Sequence, residues 1–171
     1  YDAIVSAEMV EPLGREYWPM FMDCIARNLR PGGRAAIQYI SMKESLSEAY
    51  AGSTDFIQAY VFPGGLLIKT SEFRALAEAR GLAWQDQSDF GEHYAETLRL
   101  WRENFDAAVA EERLPDGFDE RFVRLWRYYL MYCEGGFRGG GIDVHQDTLI
   151  KETWCAFPPW GRGARILQQT P

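Results

Sequence analysis

The stretch IVSAEMVEPLG, residues 4–14, decides how the rest of the chain is interpreted. It begins with β-prone apolar residues, passes through Glu8 and Glu11, and ends in the turn formers Pro12 and Gly14. A short apolar run bounded by turn residues is typical of a buried parallel strand. Because open α/β sheets bind ligands beyond the carboxyl ends of their strands, both glutamates are predicted at the mouth of a crevice. Solvated loop carboxylates are the alternative, and the motifs below favour a functional role for Glu11 more than for Glu8.

The segments that follow predict a βαβ unit. A helix is expected over 15–29 and is ended by the Pro-Gly-Gly at 31–33, and a second strand is expected over 34–41. Residues 71–80 predict a further helix with Ser71 as its N-cap. Strands over 4–10, 34–41, 82–89 and 144–152 are predicted to form one sheet, with the last strand antiparallel to its neighbours.

Two aromatic-rich helices are predicted to cover this sheet on one side. Apolar residues recur at steps of three and four from Tyr94 to Val109 and again from Phe122 to Cys133. Asp119 is a predicted N-cap for the second of these helices. Residues 55–65, DFIQAYVFPGG, predict an excursion above the sheet that ends in a turn.

Composition excludes several classes of function. The chain has 171 residues, 47 % of them hydrophobic and 15 % aromatic, which predicts one globular domain with aromatic residues to spare for an apolar pocket. A net charge of −7 argues against nucleic acid as a partner. The three cysteines are far apart and unpatterned, which predicts free thiols, a cytoplasmic location and no metal site. Without any resemblance, these residues indicate an α/β domain with an acidic crevice and an aromatic lid, and they name no reaction.

Several stretches together resemble the cyclopropane-fatty-acyl-phospholipid synthases and their mycolic-acid relatives, which are S-adenosylmethionine-dependent methyltransferases. The aromatic-PGG stretch and the pattern FG-x-x-Y-x-x-T-L-x-x-W are the most specific, and LRPGG is weak alone. The stretches are IVSAEMVEPLG (4–14), LRPGGRAAIQYIS (29–41), DFIQAYVFPGG (55–65), FGEHYAETLRLWRENFDAA (90–108) and FDERFVRLWRYYLMYCEGGF (118–137).

The resemblance implies a doubly wound, Rossmann-like sheet of seven strands, of which this chain would begin at the fourth. Residues 1–152 would then be the C-terminal part of a methyltransferase domain, and 153–171 an irregular tail. The first residue, Tyr1, and the immediate strand support the expectation that an N-terminal part is missing. The family's Gly-rich cofactor loop would lie in that part, so no residue here is assigned to S-adenosylmethionine, and the fragment alone is expected to be inactive.

The reaction implied is the transfer of a methylene to the cis double bond of a phospholipid acyl chain, which forms a cyclopropane ring. A bound bicarbonate would act as the base. By motif its ligands would be Glu11, Tyr94 and the backbone of Ile40, and Gln38 would stand at the family's His position. A Gln amide can still donate a hydrogen bond, but it cannot take up a proton as His does.

Aromatic residues of the 55–65 stretch are candidates for the substrate-binding wall, with core packing as the alternative for each of them: Phe56, Tyr60 and Phe62. The expected partners are an unsaturated phospholipid and, transiently, the inner membrane surface. Exposed apolar surface along the first strand predicts self-association, for example as a homodimer. The alternatives are a methyltransferase of the same family that acts on a small amine, and a truncated chain that is not catalytic.

Overall fold

The computed structural model describes residues 1–153, which form an α/β unit built on one four-stranded sheet. The strand order is β1-β2-β4-β3, with β1 parallel to β2, and with β4 antiparallel to both β2 and β3. The predicted sheet and the antiparallel last strand are therefore confirmed. The strands are β1 (Ala3–Ala7), β2 (Arg34–Met42), β3 (Leu82–Asp89) and β4 (Ile142–Lys151).

Six helices connect or cover these strands in the described part of the chain. They are α1 (Trp18–Asn28), α2 (Ser47–Ala51), α3 (Phe56–Tyr60), α4 (Thr70–Glu78), α5 (Gly91–Ala110) and α6 (Glu120–Arg138). Short 3-10 turns, Arg15–Tyr17 and Glu44–Leu46, precede α1 and α2. The predicted tail lies outside the described residues except for Thr153. No helix within residues 1–153 has the length and apolar character needed to cross a bilayer.

The first strand ends earlier than predicted. It was expected over 4–10 but stops at Ala7, because Glu8 has φ +53°, a left-handed conformation that interrupts the extended backbone. The amide of Glu8 still donates to the carbonyl of Gln38 at 2.9 Å, so the turn stays attached to β2. β1 is an edge strand, and Val5 on it is 80 % exposed. Self-association through this edge stays a prediction.

The two predicted N-caps have different outcomes. Asp119 caps α6, since its carboxylate accepts from the amide of Phe122 at 2.8 Å. The cap assigned to Ser71 is wrong, because α4 begins at Thr70 and Lys69 occupies the cap position. The backbone N–H and the hydroxyl of Ser71 both donate to the carboxylate of Glu44, at 3.0 and 2.9 Å. The carboxylate of Glu44, from the segment before α4, thus accepts a hydrogen bond from a free N–H group of the first turn, as a cap residue would.

Each face of the sheet has its own apolar cluster. Alternate residues of β2, including Ile37 and Tyr39, pack under α1 and α4 in the larger core. Ile40 of β2 and Val144 of β4 point the other way and pack against α5 and α6. The two aromatic helices therefore cover the sheet as predicted and do not form a separate bundle.

The pairing of β2 with β4 sets which side chains share a face. Gln38 lies opposite Gln146, and Tyr39 lies opposite His145. Because successive residues of a strand point to opposite faces, Gln38 and Gln146 belong to the α5–α6 face, and Tyr39 and His145 to the α1–α4 face.

Candidate active site

A cavity of about 660 Å³ opens beyond the carboxyl ends of β1 and β2, under α5 and α6. The predicted excursion between β2 and α4 forms one of its walls, through α2, α3 and the turn after them. Its charged lining residues are all acidic, namely Glu8, Glu11 and Asp55, and no Lys or Arg of residues 1–153 lines it. The rest of the wall is mainly apolar and aromatic: Ile40, Leu46, Tyr50, Phe62, Tyr94, Leu98, Trp101, Tyr129, Cys133 and Phe137.

Glu8 is the point at which three elements meet. One of its carboxylate oxygens, Oε1, accepts from the amide of Gln38 on β2 at 2.9 Å and from the hydroxyl of Tyr94 on α5 at 3.0 Å. The sequence favoured Glu11 over Glu8, and the structure gives Glu8 the more direct contact with Tyr94. The available signal was the change from apolar residues to a carboxylate at position 8; the left-handed backbone of Glu8 has no signature in the sequence.

Glu11 is held against the neighbouring strand. Its Oε1 accepts from the backbone amide of Ile40 at 2.5 Å, and its Oε2 is buried without a hydrogen-bond partner among the described residues. Burial raises the pKa of Glu11 above its ordinary value and outweighs the backbone hydrogen bonds, which lower it. Glu11, Tyr94 and Ile40 thus line one cavity, as the sequence predicted, and their catalytic roles stay predictions.

The neighbouring titratable groups of the wall are kept neutral. Burial, and secondly the charge of Glu8, raises the pKa of Tyr94, so its hydroxyl remains a donor. Burial also raises the pKa of Tyr129 and of Cys133 to about 12 each. The carboxylates are therefore the source of charge in this wall.

Gln38 supports Glu8 and does not itself line the cavity. While its amide N–H₂ donates to Glu8, its amide oxygen accepts from Gln146 of β4 at 2.8 Å. This second bond orients the Gln38 amide, so the N–H₂ group faces the carboxylate.

The three aromatic residues predicted to contact substrate lie in different places. Phe62 lines the cavity, whereas Phe56 and Tyr60 do not. Phe56 packs edge-on against Tyr128 of α6, with ring centroids 4.6 Å apart, and Tyr60 is 64 % exposed. Their part in substrate binding stays a prediction.

A second polar cluster on the α1–α4 face was not anticipated, since the sequence suggested neither a Ser–His–Asp set nor a role for His145. His145 Nε2 lies 2.7 Å from the hydroxyl of Ser41, and Nδ1 lies 2.7 Å from Asp89. Asp143 is near enough to share a metal ion with Asp89 and His145, but its Oδ1 already accepts from the amide of Gly91. Ser41 and His145 are buried and share one hydrogen bond, whereas Asp89 is exposed, and the cluster lines a second cavity of about 540 Å³.

The chain matches one protein family over most of its described residues. The family profile described as "Mycolic acid cyclopropane synthetase" matches residues 1–147. The chain belongs to this family. It is 44 % identical over 154 residues to the tuberculostearic acid methyltransferase UfaA1 of Mycobacterium tuberculosis, and 32 % identical over 146 residues to the cyclopropane-fatty-acyl-phospholipid synthase of Escherichia coli. These matches cover 89 % and 85 % of the chain but only 36 % of each relative, so the chain spans about a third of their length.

Solved structures of the family have the same fold. The mycolic acid cyclopropane synthase CmaA1, complexed with SAH and CTAB, superposes with a TM-score of 0.78 at 28 % identity, over 88 % of this chain and 55 % of that one. The cyclopropane synthase MmaA2 from Mycobacterium tuberculosis gives a TM-score of 0.76 at 25 % identity, with the same coverage of both chains. The α/β fold of this chain thus matches that of the corresponding part of a cyclopropane synthase.

Proposed function

We propose that the protein belongs to an enzyme that transfers the methyl group of S-adenosylmethionine to the double bond of an unsaturated lipid acyl chain. The observation that carries this proposal is the pair of carboxylates, Glu8 and Glu11, set in a cavity whose remaining wall is mainly apolar and aromatic. Attack of an alkene on a sulfonium methyl leaves a carbocation on the acyl chain. Negative charge and aromatic faces stabilise that cation, and an apolar wall keeps out the water that would trap it.

The described residues suit the reactive end of S-adenosylmethionine. Its sulfonium carries a positive charge, and the lining offers carboxylates without a competing Lys or Arg from residues 1–153. When bound, S-adenosylmethionine supplies the methyl group. Glu8 and Glu11 would face that group, while no described residue is assigned to the adenosine or the amino-acid end.

Two products follow from the same first step. Loss of a proton from the transferred methyl group, with ring closure, gives the cyclopropane that the sequence predicted. Loss of a proton from the acyl chain beside the cation instead gives a methyl-branched alkene, and the 44 % identity to a tuberculostearic acid methyltransferase favours this branched product as the second candidate. Both candidates need the cavity to stabilise the same type of cation, so the geometry supports their shared chemistry.

A partly exposed aromatic patch beside the cavity supports contact with a membrane surface. We call Phe56, Tyr60, Tyr128 and Tyr132 the α3–α6 patch; their rings contact one another, and Tyr132 also lines the cavity. Aromatic side chains of this kind suit the interface between water and lipid. An acyl chain could therefore pass from the bilayer into the cavity across this patch.

Isotope transfer tests the proposal. The enzyme, expressed from its own gene, is incubated with S-adenosylmethionine labelled with ¹³C in the methyl group and with vesicles of an oleoyl phospholipid. We expect label in the acyl chain by mass spectrometry of the released fatty acid, and the fragmentation pattern tells ring from branch. Vesicles with only saturated chains are the control and should stay unlabelled.

The competing functions make different predictions in the same assay. A small-amine methyltransferase would label added ethanolamine and leave the oleoyl chain unlabelled. A non-catalytic protein would label neither acceptor. Either result would overturn the proposed function.

A further inference from the structure

The donors that the resemblance assigns to a bicarbonate already have acceptors within the protein. Tyr94 Oη donates to Glu8 Oε1 at 3.0 Å, and Gln38 Nε2 donates to the same oxygen at 2.9 Å. The amide of Ile40 donates to Glu11 Oε1 at 2.5 Å. A bicarbonate would have to displace a carboxylate from each of these donors.

Charge also opposes a bound bicarbonate. The cavity wall holds Glu8, Glu11 and Asp55, and no Lys or Arg from the described part of the chain lines it. Like charges repel strongly in an apolar environment, so a further anion would enter a wall that is already negative. The residues present therefore do not fit the bicarbonate that the family resemblance implies.

We propose that the carboxylate of Glu8 takes the place of that ion and is the base of the reaction. This inference rests on the proposed methyl transfer. After the sulfonium methyl has bonded to one alkene carbon, the other carbon is cationic. A C–H bond of the transferred methyl breaks, its proton goes to Glu8, and its electron pair forms the new carbon–carbon bond that closes the ring. The two donors that hold Glu8 orient its carboxylate toward the cavity.

The backbone of Glu8 gives independent geometric support. Its φ of +53° is rare for a residue with a side chain, and it turns the chain away from the strand at this point. Three hydrogen bonds hold this conformation. The backbone N–H of Glu8 donates to the carbonyl of Gln38, and the side chains of Gln38 and Tyr94 donate to the Glu8 carboxylate. A glycine accepts a left-handed backbone without strain. Glu8→Gly should therefore keep the turn, remove the carboxylate and leave an anion-sized space beside Tyr94 and Gln38.

Bicarbonate dependence tests the assignment in the enzyme expressed from its own gene. In buffer freed of carbon dioxide, we expect the parent to methylate oleoyl phospholipid at a rate that added bicarbonate does not change. Glu8→Gly should lose about 10²-fold or more in kcat, with little change in KM for the lipid. Added bicarbonate should restore part of that rate. Glu8→Gln should lose as much and not be rescued, because its amide still fills the space.

Two results would overturn the proposal: a parent rate that falls when bicarbonate is removed, or a Glu8→Gln variant that retains the parent's kcat. Binding of the ion separates this inference from the proposed function. With ¹³C-labelled bicarbonate, we expect line broadening in the NMR spectrum with Glu8→Gly and none with the parent. If no lipid is labelled by either protein but this binding difference is found, the methyl-transfer proposal has failed and the substitution of the ion by Glu8 stands. Broadening by the parent would refute the substitution whatever the reaction.

Discussion

The two faces of the sheet both carry tyrosine and carboxyl groups, but they use them differently. On the α5–α6 face, Tyr94 donates to Glu8 at the wall of a cavity of about 660 Å³. On the α1–α4 face, Tyr39 is fully buried, with its ring 4.3 Å from that of Phe73. Asp147 on the same face is 2 % exposed, and neither of its carboxyl oxygens has a hydrogen-bond partner among residues 1–153.

The difference lies in what burial does to each carboxyl group. Burial raises the pKa of Asp147 to about 6, so its ionised form destabilises the fold at neutral pH. Glu8, in contrast, has donors from two elements and open volume in front of it. A carboxylate that is both hydrogen-bonded and accessible can act on a ligand, whereas one enclosed without a partner only lowers the free energy of unfolding. The variants below test this contrast.

The largest effect is expected on the cavity face. Tyr94→Phe removes the hydroxyl that orients Glu8, and Glu11→Gln removes a charge near the cation. Each should lower the turnover of oleoyl phospholipid by about 10²-fold or more, with little change in thermal stability. If both variants keep the parent's rate while remaining folded, the catalytic assignment of this face is wrong.

On the packed face the expected effect is on stability and depends on pH. The pKa of Asp147 is raised, so its contribution to stability is present below about pH 4 and is lost as pH rises to about 6. A rise in the pKa from 3.8 to about 6 corresponds to at most about 3 kcal/mol in the free energy of unfolding. Asp147→Asn should therefore be more stable than the parent at pH 7, by urea denaturation, and the gap should narrow toward pH 5.

Asp86→Asn is the matched control for this effect, because Asp86 lies on the exposed part of β3. The free energy of unfolding of Asp86→Asn should equal that of the parent at both pH values. The difference in free energy of unfolding between Asp147→Asn and the parent should be larger at pH 7 than at pH 5. An equal difference at the two pH values would contradict the role given to burial.

A smaller effect is expected at the start of α6, which covers the cavity. Asp119→Ala removes the acceptor for the amide of Phe122 and should lower the free energy of unfolding by about 1 kcal/mol. Asp119→Asn, which can still accept that bond, should lose much less. Equal losses in the two variants would show that charge, and not capping, is what Asp119 supplies.

The smallest effect is expected for Gln38→His. A His nitrogen can donate to Glu8 as the Gln amide does, so turnover should change little. Gln38→Leu, which donates no hydrogen bond, is the comparison variant and should lower turnover clearly. A His variant as impaired as the Leu variant would show that the pairing of Gln38 with Gln146 matters more than donation to Glu8.

The sequence predicted the elements well because their signals are local. Nearly continuous apolar residues marked β2, steps of three and four marked α5 and α6, and Asp119 marked a helix start. The family resemblance brought Glu11 and Tyr94 to one site. The prediction of Ser71 as an N-cap was wrong because serine is a common cap residue at the start of a helix. No neighbouring residue indicated that Ser71 would donate to Glu44 instead.

What the sequence could not predict depends on long-range pairing. The contact of Glu8 with Tyr94 needs both a left-handed turn after β1 and the packing of α5 on the sheet. The contact of Ser41 with His145 needs a particular alignment of β2 with β4. Neither is set by neighbouring residues, so spacing alone gave no reason to join these side chains.

The alignment of β2 with β4 also limits how the turn before β4 can vary in length. The turn at 139–141 leads into β4 so that Gln146 lies on the α5–α6 face of the sheet and His145 and Asp147 lie on the α1–α4 face. An insertion or deletion of one residue that carries through into β4 would shift this strand by one position and exchange its two faces. His145 and Asp147 would then lie on the α5–α6 face, and Gln146 would take a place on the packed α1–α4 face. Changes of two residues would keep the parity, so natural length variation in this turn is expected in even steps.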